Sequence, residues 1–128
     1  MELKNVLLID DDESYNFLSR IVFNDNKVSC DVHEALNGEA ALHFLKNSME
    51  CPDVILLDIN MPIMDGFEFL EQFEKYMRCA GTSNIFVLTS SGRDEDRVKS
   101  LENKYVKGFF SKPLNSSDVQ QILTTVDK

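Results

Sequence analysis

Acids, a hydroxyl and an amine each stand at the end of a short apolar run in this chain. Val6-Leu7-Leu8-Ile9 leads into Asp10-Asp11-Asp12, and Val54-Ile55-Leu56-Leu57 leads into Asp58. Ile85-Phe86-Val87-Leu88 ends in Thr89, and the run from Val106 to Phe110 ends in Ser111-Lys112-Pro113. Three carboxylates within a few ångströms repel, and one would neutralise unless a cation intervened. A hard divalent ion with oxygen ligands suits them; magnesium keeps several waters and leaves sites for phosphate oxygens. A carboxylate held beside such an ion can attack a phosphoryl donor and become an aspartyl phosphate. The transferring group carries negative charge that magnesium and the Lys112 ammonium would neutralise, and the Thr89 hydroxyl can donate one hydrogen bond. No His or Cys competes for the nucleophile's role, and no Gly-rich loop is present to cradle a nucleotide. Taken singly, each acid also reads as a helix cap. The set points to chemistry only if the fold gathers it on one rim.

The spacing of apolar residues predicts such a fold. Runs that are short and apolar throughout suit strands buried on both faces. Between them lie segments with helical spacing. Ser14 to Asn24 places Tyr15, Leu18, Ile21 and Val22 on one face, and Glu39 to Asn47 places Ala40, Ala41, Phe44 and Leu45 on another. Asp65 can cap a helix from Gly66 to about Met77 with a stripe of Phe67, Leu70, Phe73 and Met77. A charged helix over about Asp94 to Glu102 has little beyond Val98 and Leu101 to bury. Asn115, Ser116 or Ser117 caps a last helix carrying Val119, Ile122, Leu123 and Val126. Val28 to Ala35 alternates and reads as a less buried edge strand. Five βα units in succession imply a doubly wound α/β fold, a five-stranded parallel sheet with helices on both faces. In such a sheet all the carboxyl ends of the strands share one rim, and ligands bind there.

The bulk numbers bound the answer. A chain of 128 residues with 43% apolar content can fill one core, and we expect a single domain over 1–128. A net charge of −9 argues against a grip on nucleic acid phosphates or anionic lipid. Cys30, Cys51 and Cys79 are odd in number, with no CxxC pair and no zinc spacing. They read as three ordinary thiols in a reducing cytoplasm. His33 and His43 stand alone and read as surface or half-buried imidazoles. The early apolar run is too short for a signal peptide or a membrane span.

Four stretches carry a resemblance: Leu8-Ile9-Asp10-Asp11-Asp12, Leu57 to Gly66, Leu88-Thr89-Ser90 and Phe110-Ser111-Lys112-Pro113. Together and in this order they resemble the receiver domains of two-component response regulators, over about Lys4 to Val126. The resemblance implies the CheY-like, flavodoxin-like fold with strand order 2-1-3-4-5. It implies that Asp58 is the phosphoacceptor and that Mg2+ is bound by Asp11, Asp58 and the Asn60 backbone carbonyl, with Asp10 acting through a water. It makes Thr89 the switch hydroxyl, Lys112 the phosphoryl-binding amine and Phe109 the switch aromatic. The donor would be a phosphohistidine on a sensor histidine kinase or a histidine phosphotransfer protein. Asp12 matches no required position and is left as a surface acid. The Lys112–Pro113 bond is expected to be cis.

The chain departs from the family pattern in places. Phe109 stands where tyrosine is frequent, Ser91 follows Thr89 by two, and Tyr105 falls where many receivers have glycine. Asn103 is the alternative residue for a left-handed cap there. No residues remain for an output domain, so the expectation is a stand-alone cytoplasmic receiver that acts through an unidentified protein target, without direct nucleic acid contact. Two other readings stay open. Asp10-Asp11-Asp12 contains the Asp-x-Asp of haloacid dehalogenase-type phosphatases, although Glu13-Ser14 follows where Gly-Thr or Gly-Val is usual. A receiver fold serving purely as an interaction module is the other.

Overall fold

Each apolar run becomes a strand, and each helical spacing becomes a helix. The computed structural model describes residues 3–61, 63–76 and 78–126, with Tyr76 in its backbone only. The elements are β1 (Asn5–Ile9), α1 (Glu13–Asp25), β2 (Asp31–Ala35), α2 (Gly38–Asn47), β3 (Val54–Leu57), α3 (Gly66–Tyr76), β4 (Asn84–Thr89), α4 (Asp94–Glu102), β5 (Val106–Ser111) and α5 (Ser116–Val126). The strands form one sheet in the order β2-β1-β3-β4-β5, every pairing parallel. Side chains alternate between the two faces of a strand, so the sheet has two cores. Leu7, Ile9, Ile55, Leu57, Ile85 and Val87 face α2 and α3; Val6, Leu8, Val54, Leu56, Phe86 and Phe110 face α1 and α5. All four residues of β3 are buried, as its unbroken apolar run requires.

The helices begin where side chains can cap them. Asn37 accepts from the Ala40 amide at 2.7 Å to open α2. Asp65 and Glu68 form a reciprocal capping box at the start of α3, with bonds of 2.9 and 3.1 Å. Asn115, of the three candidates, caps α5, and it shares the same box with Asp118. The Lys112–Pro113 bond is cis.

Several expectations need correction. β2 begins at Asp31, and Val28 and Cys30 precede it. The buried face of α1 is Asn16, Ser19 and Phe23, while Leu18 and Ile21 are exposed. Small Ser19 allows the helix to sit close to the sheet, and the buried Asn16 amide is satisfied by the Asp10 carbonyl at 3.2 Å. On α2, Ala40 is exposed and Gly38 takes its place in the buried set. On α3, Phe69 is fully buried and Phe67 only half so; Met77 lies outside the described residues. On α4, Val98 and Leu101 are exposed, and the residue packed inward is Ser100, whose hydroxyl bonds the Asp96 carbonyl at 2.6 Å.

Asn103 is extended, with φ −74° and ψ 126°, so no left-handed cap forms there; its side chain instead accepts from the Tyr105 amide at 2.9 Å. The three-thiol reading is also overturned. Cys51 and Cys79 form a disulfide, and Cys30 alone is free. They stand 28 residues apart, but the loops that carry them enter the adjacent strands β3 and β4. That proximity exists only in the folded sheet.

Candidate functional site

The carboxyl ends of β1, β3, β4 and β5 do lie on one rim, and the predicted residues meet there. Asp10 and Asp58 leave the central strands and are both buried, at 4% exposure. Their backbones continue the ladder: the Asp10 amide donates to the Ala35 carbonyl, and the Asp58 amide to that of Ile9. Asp11 is exposed beside them. Oxygens of Asp10, Asp11 and Asp58 lie within 4.8 Å of one another.

Lys112 reaches into this cluster from the end of β5. Its amide donates to the Thr89 carbonyl at 2.9 Å, which fixes the start of the side chain's path. Its ammonium contacts Asp10 Oδ2 at 2.6 Å and Asp58 Oδ2 at 3.0 Å, and the side chain is only 4% exposed. The ring of Tyr15 lies 4.4 Å from the same nitrogen, a cation–π contact that helps hold it. Burial holds the Asp10 carboxyl above the usual carboxylate range, against the opposing hydrogen bonds from Lys112 and the Asp12 amide. For Lys112 burial alone would lower the pKa, but the bonds to Asp10 and Asp58 outweigh it and raise the value.

The remaining carboxylate oxygens are held from below. Asp10 Oδ1 accepts from the Asp12 amide at 2.9 Å, and Asp58 Oδ1 from the Asn60 amide at 3.0 Å. Gly66 is essential to this geometry. A Cβ there would come within 2.5 Å of the Ile59 Cα and 3.0 Å of the Asp58 carbonyl oxygen. The start of α3 therefore rests on the backbone that presents Asp58.

Thr89 is fully buried at the end of β4. Its oxygen accepts from Asn60 Nδ2 and from the Ser91 amide, each at 3.3 Å. Phe109 is half-buried and pairs with Val87, so it sits diagonally across from Thr89 on the same face of the sheet. Asp12 is exposed and caps α1 through the Ser14 amide, so the cap reading holds for this acid.

Sequence reasoning missed three participants. Tyr15, expected on the helical stripe of α1, packs against the Lys112 ammonium. The Asn60 side chain, beyond its backbone, bonds Thr89. Asp96 accepts from the Ser91 hydroxyl at 2.5 Å and so ties the loop after β4 to α4. None carries a signal in one sequence, because each contact depends on where the loops turn.

An open depression of about 610 Å³ above the rim is lined by Asp11, Tyr15, Leu36, Asp58, Asn60 and Lys112, among others. The clustered ligand atoms are the carboxylate oxygens of Asp10, Asp11 and Asp58, and the residues lining the depression bring no sulfur or imidazole. That chemistry fits magnesium, and the Lys112 ammonium already sits where positive charge is required.

Comparison with known proteins agrees with this geometry. The sequence profile of the family described as response regulator receiver domain matches residues 6–124. The chemotaxis protein CheY of Halobacterium salinarum is 31% identical, covering 96% of this chain and 96% of that protein. The sensor histidine kinase CheAY of Helicobacter pylori is 34% identical over 96% of this chain, and the chain spans only 14% of that kinase's length. A crystal structure of a two-component response regulator from Cytophaga hutchinsonii superimposes with a TM-score of 0.90 at 28% identity, covering 98% of both chains.

Proposed function

Because this chain belongs to the response regulator receiver family, and is a CheY-like receiver of two-component signalling, we propose that Asp58 is its phosphoacceptor. The observation that carries the reading is the Lys112 ammonium bridging Asp10 and Asp58 on one rim. An oxygen of the Asp58 carboxylate attacks the phosphorus of a phosphohistidine; the P–O bond forms, the P–N bond breaks, and the electron pair returns to the imidazole nitrogen. Asp11, Asp58 and the Asn60 carbonyl would hold Mg2+, with Asp10 acting through water, and the ion when bound neutralises charge on the transferring group. Lys112 supplies a second positive charge and turns from Asp58 to a phosphoryl oxygen. Thr89 accepts two hydrogen bonds through its lone pairs, so its own proton is available to a phosphoryl oxygen. Slow hydrolysis of the aspartyl phosphate by water returns the resting state.

The donor we propose is a sensor histidine kinase or a histidine phosphotransfer protein. Phe17, Leu18 and Ile21 of α1 and Leu36 after β2 are exposed, and Leu36 lines the depression itself. That apolar border suits a helical partner presenting its histidine to the rim. The chain acts as a cytoplasmic receiver, and phosphorylation changes its contacts with a downstream protein through Thr89 and Phe109.

Labelling with acetyl phosphate and magnesium, followed by mass mapping, tests the assignment. Asp58→Asn abolishes labelling while the circular dichroism spectrum is unchanged. Phosphate on Asp10 would instead support the phosphatase reading, and undiminished labelling of Asp58→Asn would refute ours.

A further inference from the structure

At the end of the sheet opposite the acidic rim, Cys51 precedes β3 and Cys79 follows α3, joined as a disulfide with Cα atoms 5.5 Å apart. The same junction is held without sulfur. The Ser83 hydroxyl donates to the Pro52 carbonyl at 2.6 Å, and the Asn84 amide and side chain both donate to the Asp53 carbonyl, at 2.9 and 3.1 Å. The sulfur bond can therefore open without the two loops separating.

The two sulfurs are not equivalent. Cys79 is fully buried, whereas Cys51 is partly exposed. Arg78 donates to Cys51 Sγ at 3.4 Å, and a second guanidinium nitrogen donates to the Ser48 carbonyl. Ser48 belongs to the loop that carries Cys51, so the guanidinium is bound to the same loop as that sulfur. A guanidinium beside a sulfur favours the thiolate, the form that reacts. Cys30 is the built-in contrast: burial, then the charge of Asp31, pushes its thiol up.

We propose that Cys51 and Cys79 are a reversible redox-modification site for a hydroperoxide, with Cys51 oxidised first and Cys79 as the resolving thiol. The Cys51 thiolate attacks one peroxide oxygen; an S–O bond forms, the O–O bond breaks, and the departing alkoxide or hydroxide takes a proton. The product is a sulfenic acid. The Cys79 sulfur then attacks the Cys51 sulfur; the S–S bond forms, the S–O bond breaks, and hydroxide leaves with the Cys79 proton as water. A cellular dithiol supplies the two electrons for the return. Its thiolate attacks the accessible Cys51 sulfur, Cys79 leaves and is protonated, and the second thiol of the reductant frees Cys51. This site is independent of the phosphoacceptor reading.

The test uses the full chain, reduced with dithiothreitol, freed of reductant and treated with stoichiometric hydrogen peroxide. Peptide mapping is expected to find the Cys51–Cys79 cystine with Cys30 unmodified and the circular dichroism of the reduced form native. Cys79→Ala is expected to give a dimedone adduct on Cys51, and Cys51→Ala no adduct on Cys79. Arg78→Met is expected to slow oxidation several-fold at neutral pH, with the rate recovering as the pH is raised. If Cys79→Ala does not fold, dimedone present during oxidation of the reduced wild type traps the same adduct. An adduct on Cys30 or Cys79 ahead of Cys51, an Arg78→Met rate unchanged at every pH, or unfolding on reduction overturns the proposal.

Discussion

At the scale of single residues the site is a balance between like charges and one amine. Asp10 and Asp58 are buried together, and their repulsion is relieved by Lys112. Among the described residues Asp11 has no such partner and it is exposed, so it is the carboxylate most available to a cation. Magnesium at ten times its dissociation constant would stabilise the native state by about 1.4 kcal/mol through mass action. Asp11→Ala is expected to remove that gain, read as the loss of the magnesium-dependent rise in Tm. Equal shifts in mutant and wild type would place the metal elsewhere. The free thiol offers a separate check on burial. Cys30 is held above its ordinary value of 9.0 by burial and then by Asp31. Its folded pKa is the higher one, so its contribution to stability is full below 9.0 and is lost as pH rises through the folded value. The pH midpoint for iodoacetamide alkylation should be higher for native than for urea-unfolded protein. A native midpoint at or below the unfolded one would contradict this.

At the scale of elements, strands were more legible than helices. β1, β3 and β4 are nearly all buried, so composition alone marks them. A helix buries one stripe, and apolarity misplaces that stripe when the contact is close. On α1 the inward residues include Asn16 and Ser19, and on α4 the inward residue is Ser100, because small or bonded side chains fit against the sheet. The rim residues were legible because each ends an apolar run; the disulfide was not, because even with β3 and β4 expected as neighbours the spacing of Cys51 and Cys79 does not show that the loops entering them bring two sulfurs together. Gly66 ties element to site. With its Cβ position 2.5 Å from the Ile59 Cα, Gly66→Ala must push α3 away from the strand that carries Asp58. The expected cost is about 1–3 kcal/mol in urea unfolding, with a reduced rate of acetyl phosphate labelling. A variant with wild-type stability would show that the loop absorbs the methyl group.

At the scale of the whole molecule, the question is how the phosphoryl group proposed for Asp58 would be sensed by a partner. Thr89 is held by two long bonds of 3.3 Å, from Asn60 and from the Ser91 amide. A charge-assisted bond to a phosphoryl oxygen is stronger than either, so the hydroxyl should move toward Asp58. The space it leaves borders Phe109, which is half-buried and packed against the core of that face. Completing that burial is worth roughly 1 kcal/mol, about half of a full aromatic burial. That is enough to bias two states of similar energy. The neighbouring α4 is poorly anchored, with Ser100 as its one buried residue and Val98 and Leu101 exposed. It is linked to the site by the bond from the Ser91 hydroxyl to Asp96. A shift after β4 should therefore move α4 with little opposition from packing. Amide exchange over residues 89–112, with and without beryllium fluoride as a phosphoryl mimic, reads this directly. Wild type is expected to change protection in α4 and β5, whereas Thr89→Ala binds the mimic and leaves α4 unchanged. The same exchange pattern in both proteins would remove Thr89 and Phe109 from the path.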